Sequence, residues 1–250
     1  MFPAASALLA LRSNGAPIPQ PALTAAGFSI SVQCWSFKEF TLFEAIEMAA
    51  SAGCPCETFT GQKIGGPLGD VKLGPENSDK QIEQVLAHLK KNNISAVNFG
   101  VTGISKNEAE ARKTFEFAKK FGLYGITTES LDALDTLEKL AKEFDIKVCF
   151  HNHPKPTALW NPETVWKAIQ GRHENIGYCA DLGHWASSGL NPLDVIKKIA
   201  PRVRSFHMKD RASLEKWTHD QPFGTGVVDL VAILDEVRKH GFAGNVSIEY

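Results

Sequence analysis

Four apolar runs in the second half of the chain each end in side chains that can bind a cation or move a proton. Ile146 to Phe150 leads into His151-Asn152-His153, and Ile176 to Ala180 leads into Asp181-Leu182-Gly183-His184. Val203 to Phe206 leads into His207-Met208-Lys209-Asp210, and Asn245 to Ile248 leads into Glu249. Each run is about strand length and is followed by loop or helix signals. Polar groups placed repeatedly at the carboxyl ends of parallel strands predict one shared site above a barrel. Asp181, His207 and Glu249 then sit at the mouth. A mixed imidazole and carboxylate set suits a divalent first-row metal such as Mn, Zn, Co or Fe, and Mg less well. Taken singly, Asp181 also reads as a helix N-cap, His207 as a core histidine and Glu249 as a surface carboxylate. Their shared strand-end placement is what favours a site. Of the 8 histidines, His88, His173 and His240 fall on or beside predicted helices and His219 in a loop. His151, His153, His184 and His207 fall at strand ends.

The elements that must position these groups alternate along the chain. Phe28 to Cys34 reads as the first strand, and Thr41 can cap a helix with Leu42, Ile46 and Ala49 on one face. Glu57 to Thr60 is a short second strand, followed by a Gly/Pro-rich loop that reads as a site wall. Asp79 opens a helix, Ile94 to Phe99 is strand three, and Asn107 caps the next helix. Tyr124 to Thr128 is strand four, ending in Glu129. Asn191-Pro192 is an N-cap followed by proline at the first helical position. Asp229 caps the last helix, and the loop from Arg211 to Val228, with Trp217, reads as a further wall, as does the Trp160 loop. Eight strands with seven helices between them imply a parallel sheet closed into a TIM barrel, an α/β fold with no helix after its last strand. The first strand is not followed by a Gly-x-Gly-x-x-Gly turn, which argues against a dinucleotide-binding fold.

The 250 residues are read as one barrel over residues 27–250, with residues 1–26 as an N-terminal arm or the remnant of an export signal. That leaves a cytoplasmic or a periplasmic location open. No apolar stretch reaches the length of a membrane span. With 27 basic and 28 acidic residues there is no electrostatic footprint for nucleic acid. Five cysteines without a framework spacing argue against a disulfide scaffold.

The segments Phe150-His-Asn-His-Pro154, Cys179-Ala-Asp-Leu-Gly-His-Trp185, Ser205-Phe-His-Met-Lys-Asp210 and Ser247-Ile-Glu-Tyr250 resemble the sugar isomerase/epimerase branch of the xylose isomerase-like barrels. The resemblance implies one divalent metal held by a Glu-Asp-His-Glu set on strands five to eight. Asp181, His207 and Glu249 match the last three positions. Strand five departs, with His151 where many relatives carry glutamate. His151 is taken as the ligand, Glu129 as a base or additional ligand, and His153 as the substitute if the register slips.

The chemistry implied is metal-assisted enolisation of a small-molecule sugar. A Lewis acid at the carbonyl stabilises an enediolate while a base, Glu129 or Glu249, removes the neighbouring proton. Return of the proton gives isomerisation or epimerisation. Loss of a β-substituent gives a lyase acting on 3-keto-glycosides. Lys209, His153, His184 and Trp185 are expected to hold the sugar. A non-catalytic sugar-binding barrel and an endonuclease-type phosphodiesterase are weaker alternatives, the latter because no histidine marks strands two and three. Relatives of this kind often form dimers or tetramers, and no apolar stripe here sets a number.

Overall fold

The computed structural model describes Thr24, residues 27–214 and residues 218–250. The arm at residues 1–26, Thr24 apart, and Trp217 therefore lie outside the described residues. The strands are β1 (Ser29–Gln33), β2 (Cys56–Thr58), β3 (Ala96–Phe99), β4 (Gly125–Thr128), β5 (Lys147–His151), β6 (Ile176–Asp181), β7 (Val203–Met208) and β8 (Asn245–Ile248). They pair in chain order as one closed, all-parallel barrel, with β8 against β1.

The helices are α1 (Leu42–Ser51), α2 (Asp79–Lys91), α3 (Glu108–Phe121), α4 (Leu134–Phe144), α5 (Pro162–Ile169), α6 (Leu182–Ala186), α7 (Pro192–Ile199) and α8 (Leu230–Lys239). Their starts follow from local chemistry. Thr41 and Glu44 form a reciprocal capping box at α1, and Ser78 and Gln81 form one at α2. Asn161 and Asn191 each accept a backbone N–H of the first turn, with proline at the first helical position of α5 and α7. The sequence predicts seven helices, and among the described residues there are eight. The extra one is α6, a single turn nucleated when the Asp181 carboxylate accepts the His184 N–H at 2.8 Å.

The core has two parts. Apolar side chains on the outer faces of the strands pack beneath the helices, among them Phe150, Phe206 and Ile176, and Trp185 of α6 joins them. The barrel interior is polar: Ser29 bonds Asn245 at 2.8 Å and Ser31 bonds Ser247 at 2.7 Å across the β1/β8 seam. This layering leaves acids and imidazoles, not hydrocarbon, under the mouth. The Gly-rich loop after β2 departs from the expected wall. A Cβ on Gly65 would lie 2.5 Å from Thr41 Oγ1, and one on Gly66 would lie 2.7 Å from Phe43 Cδ2. Both glycines let the loop pack onto the first turn of α1, and they do not line the cleft.

Candidate metal centre

The strand registers bring the sequence-predicted ligands together. Asp181 pairs with His207 across β6 and β7, and His207 with Ser247 across β7 and β8. The Glu249 N–H continues that ladder by donating to the Met208 carbonyl at 3.2 Å. One donor atom from each of Asp181, His207 and Glu249 lies within 4.8 Å of the others, and all three residues are buried. His207 Nδ1 lies 2.8 Å from Glu249 Oε2 and 4.0 Å from Asp181 Oδ2. His151 brings Nε2 to 3.5 Å from Asp181 Oδ2.

The donor set fits a divalent cation. His207 Nδ1 and His151 Nε2 are buried and make no hydrogen bond of acceptable geometry. His207 Nδ1 and the nearby Glu249 oxygen thus sit close with their lone pairs converging, as two ligands of one ion do. Two carboxylates and two imidazoles form the N/O mixture that Zn, Co and Mn accept.

Lys209 lies inside this cluster. Its Nζ is 2.5 Å from Asp181 Oδ2 and 2.8 Å from Glu249 Oε1. Burial pulls the ammonium down, but Asp181 and Glu249 outweigh it and raise Lys209 above its ordinary range. Burial would push the Glu249 carboxyl up, yet Lys209 and His207 hold it well below the usual carboxylate range. Burial would push the Asp181 carboxyl up as well, but the adjoining His184 ring and the Lys209 ammonium hold it well below the usual carboxylate range.

Glu129 is placed differently from Glu249. Its Oε1 accepts from His153 Nδ1 at 2.7 Å and the His153 N–H at 3.1 Å, and lies 3.3 Å from His151 Nδ1. Burial opposes ionisation, but these bonds hold its carboxyl well below the ordinary range. They also fix His151 with its proton on Nδ1 and its lone pair on Nε2, facing Asp181. His153 is raised, chiefly by its bond to Glu129. His184 is pushed down to about 3, first by burial and then by the charge of Lys209, so its imidazole is neutral at physiological pH.

Above the cluster is a cleft of about 640 Å³, lined by His151, His153, His184, His207, Lys209 and Glu249 below and by Trp35, Lys38, Phe59 and Tyr250 at the rim. Trp35 meets Phe59 edge to face at 5.2 Å. Trp185, expected to hold a sugar ring, is wholly buried and does not line the cleft. It follows His184 on α6 and points the opposite way, into the core. Trp160 also lies off the cleft, beneath Lys155 Nζ at 4.1 Å. Residues 218–228 form a rim because buried Asp210 gathers their backbone: its carboxylate accepts from Gly224 at 3.0 Å, Gly226 at 2.9 Å and Val228 at 3.1 Å. Sequence reasoning missed Trp35 and Tyr250, since single aromatics outside periodic runs carry no signal. It noted Glu57 as a polar residue near the end of strand two but gave it no role in the site.

A family model described as xylose isomerase-like TIM barrel matches residues 126–250, the half that carries every predicted ligand. The chain belongs to the xylose isomerase-like TIM barrel family. A crystal structure of an uncharacterized protein from Parabacteroides distasonis is 33% identical, covers 90% of this chain and 91% of its own, and superposes with a TM-score of 0.71. An inosose dehydratase of Clostridium perfringens is 36% identical over 114 residues, which is 44% of this chain and 35% of that protein. Across the first curated relatives, the match spans between 26% and 35% of the relative's length. D-psicose 3-epimerase, crystallised with D-fructose, is 14% identical and covers 88% of this chain at a TM-score of 0.66, a likeness of fold alone. Among the described residues of this xylose isomerase-like barrel, no helix is long and apolar enough to cross a membrane.

Proposed function

We propose that this barrel is a divalent-metal-dependent enzyme that abstracts a proton beside the carbonyl of a keto-sugar or keto-cyclitol. The observation that carries the reading is the convergence of Asp181, His207 and Glu249 beneath a cleft of monosaccharide size or larger. Asp181, His207, Glu249 and His151 would hold the ion. Bound there, it would supply Lewis-acid withdrawal of charge from the carbonyl oxygen.

The chain's own residues supply the rest. Glu249 reaches the cleft and Glu129 does not line it, so Glu249 is the better placed base. A carboxylate held well below its ordinary range is a weak base. It removes a carbon-bound proton only where the carbonyl has been made strongly electron-withdrawing, which is why base and cation belong to one cluster. Lys209 keeps Glu249 and Asp181 oriented. His153, raised through its bond to Glu129 and half-exposed at the rim, is placed to give a proton to a departing or developing oxygen.

Return of the proton to carbon gives epimerisation or isomerisation, and loss of a β-hydroxyl or glycoside gives elimination. Elimination is favoured by the similarity to inosose dehydratases. The metal reading is tested by elemental analysis of Asp181→Ala. Metal content equal to wild type would remove the ligand assignment. Incubation with inosose and with free keto-sugars in D2O separates the chemistries. An enone absorbance marks elimination, deuterium at carbon marks epimerisation, and neither signal with any substrate would leave a binding protein.

A further inference from the structure

Glu57, the middle residue of β2, is a carboxylate with no exposure at all, placed inside the barrel under the metal centre. Its Oε1 lies 3.0 Å from His207 Nε2 and accepts from Thr127 Oγ1 at 3.1 Å, while Oε2 faces Asn245 Nδ2 at 3.5 Å. Burial of such a group is costly unless its partners donate to it. His207 Nε2 has a second neighbour, Gln33 Nε2 at 3.4 Å. The two neighbours demand opposite proton positions, because a carboxylate oxygen only accepts and an amide NH2 only donates. The shorter contact to the charged acceptor prevails. Gln33 Nε2 has its own acceptor in the Gly100 carbonyl at 3.2 Å.

The proton of His207 therefore sits on Nε2 and the lone pair on Nδ1. The other side of the ring agrees. Nδ1 is buried, lies 2.8 Å from Glu249 Oε2 and makes no hydrogen bond of acceptable geometry. We infer that Glu57 is a positioning residue of the metal centre: it fixes the Nε2–H tautomer of His207, turns Nδ1 toward Asp181 and Glu249, and strengthens the ring as a donor to a divalent cation. The inference rests on the metal-centre reading above and adds to it a residue that touches neither ion nor substrate. A carboxylate behind a ligating imidazole raises the imidazole's basicity, and losing such a partner typically weakens metal binding about 10- to 100-fold.

The test uses Co2+ as the probe, with the full chain as wild type, Glu57→Gln, Glu57→Ala and His207→Ala. Affinity is read by competition with a chromophoric chelator, the ligand field by the visible absorption band, and folding by circular dichroism. Glu57→Gln keeps an acceptor for Nε2–H but loses the charge. It is expected to bind Co2+ about 10- to 100-fold more weakly than wild type with a displaced band, and Glu57→Ala more weakly still. If His207→Ala loses the ion while Glu57→Gln matches wild type in affinity and band, the role of Glu57 is overturned, whatever its melting temperature. If wild type and His207→Ala bind Co2+ alike, the metal-centre reading itself fails. Should Glu57→Ala not fold, the isosteric Glu57→Gln still decides.

Discussion

Replacing Lys209 by methionine probes the electrostatics of the centre most directly. Lys209 is 5% exposed in its side chain, Asp181 0% and Glu249 10%, so water does little to screen the two carboxylates if the ammonium is removed. Methionine keeps most of the volume and the apolar stem, so packing changes little. The two carboxylates lose the cation 2.5 Å and 2.8 Å away. Removing one partner of a buried ion pair costs about 3–5 kcal/mol, because the other is left charged and desolvated. At about 2–4 °C per kcal/mol for a domain of this size, Lys209→Met should melt roughly 6–20 °C below wild type. That figure applies to protein stripped with a chelator and followed by circular dichroism or urea unfolding. Adding Co2+ or Mn2+ should narrow the gap, since a cation between the same carboxylates replaces the lost charge. The reasoning fails if chelator-treated Lys209→Met unfolds within about 1 kcal/mol of wild type, or if metal stabilises both proteins equally.

Two further predictions lie away from the ions. Gly226→Ala would place a Cβ 2.2 Å from Asp210 Oδ1 and 2.4 Å from the Arg211 carbonyl, which is backbone and cannot swing aside. The rim should come loose at a cost of about 1–3 kcal/mol, seen as faster hydrogen exchange at Gly224, Gly226 and Val228; unchanged protection would refute it. Glu138 is mostly buried, and its carboxyl is held down to about 2 against burial by Arg172, the His173 N–H and Lys142. Its folded value is depressed, so its contribution is present above the unfolded carboxylate range near pH 4.5 and is lost as pH falls toward 2. The stability difference between wild type and Glu138→Gln should therefore be constant from pH 7 to about 5 and shrink below it. A difference that grows on acidification would show the pairing to be wrong.

Much of the molecule was legible in the chain itself. Strand and helix periods, Asn-Pro starts, the Thr41 and Asp229 caps and the run of polar residues after β5 to β8 all act over a few residues. Alternation of such units leads to a parallel barrel, and the parallel barrel puts strand ends at one mouth. Asp181, His207, Glu249 and His151 are thus placed at one mouth by the sequence alone. What local pattern could not supply was which groups neutralise which. Lys209 adjoins Asp210 in sequence but pairs with Asp181 and Glu249, because alternate residues of a strand face opposite sides and Lys209 follows His207 by two. Trp185 follows His184 directly yet turns into the core, because one residue on a helix is a rotation of about 100°. The proximity of Glu57 to His207, 150 positions apart, exists only once the barrel closes. Charge partners across a closed sheet are set by register and curvature, which are properties of the whole ring of strands and are written in no single segment.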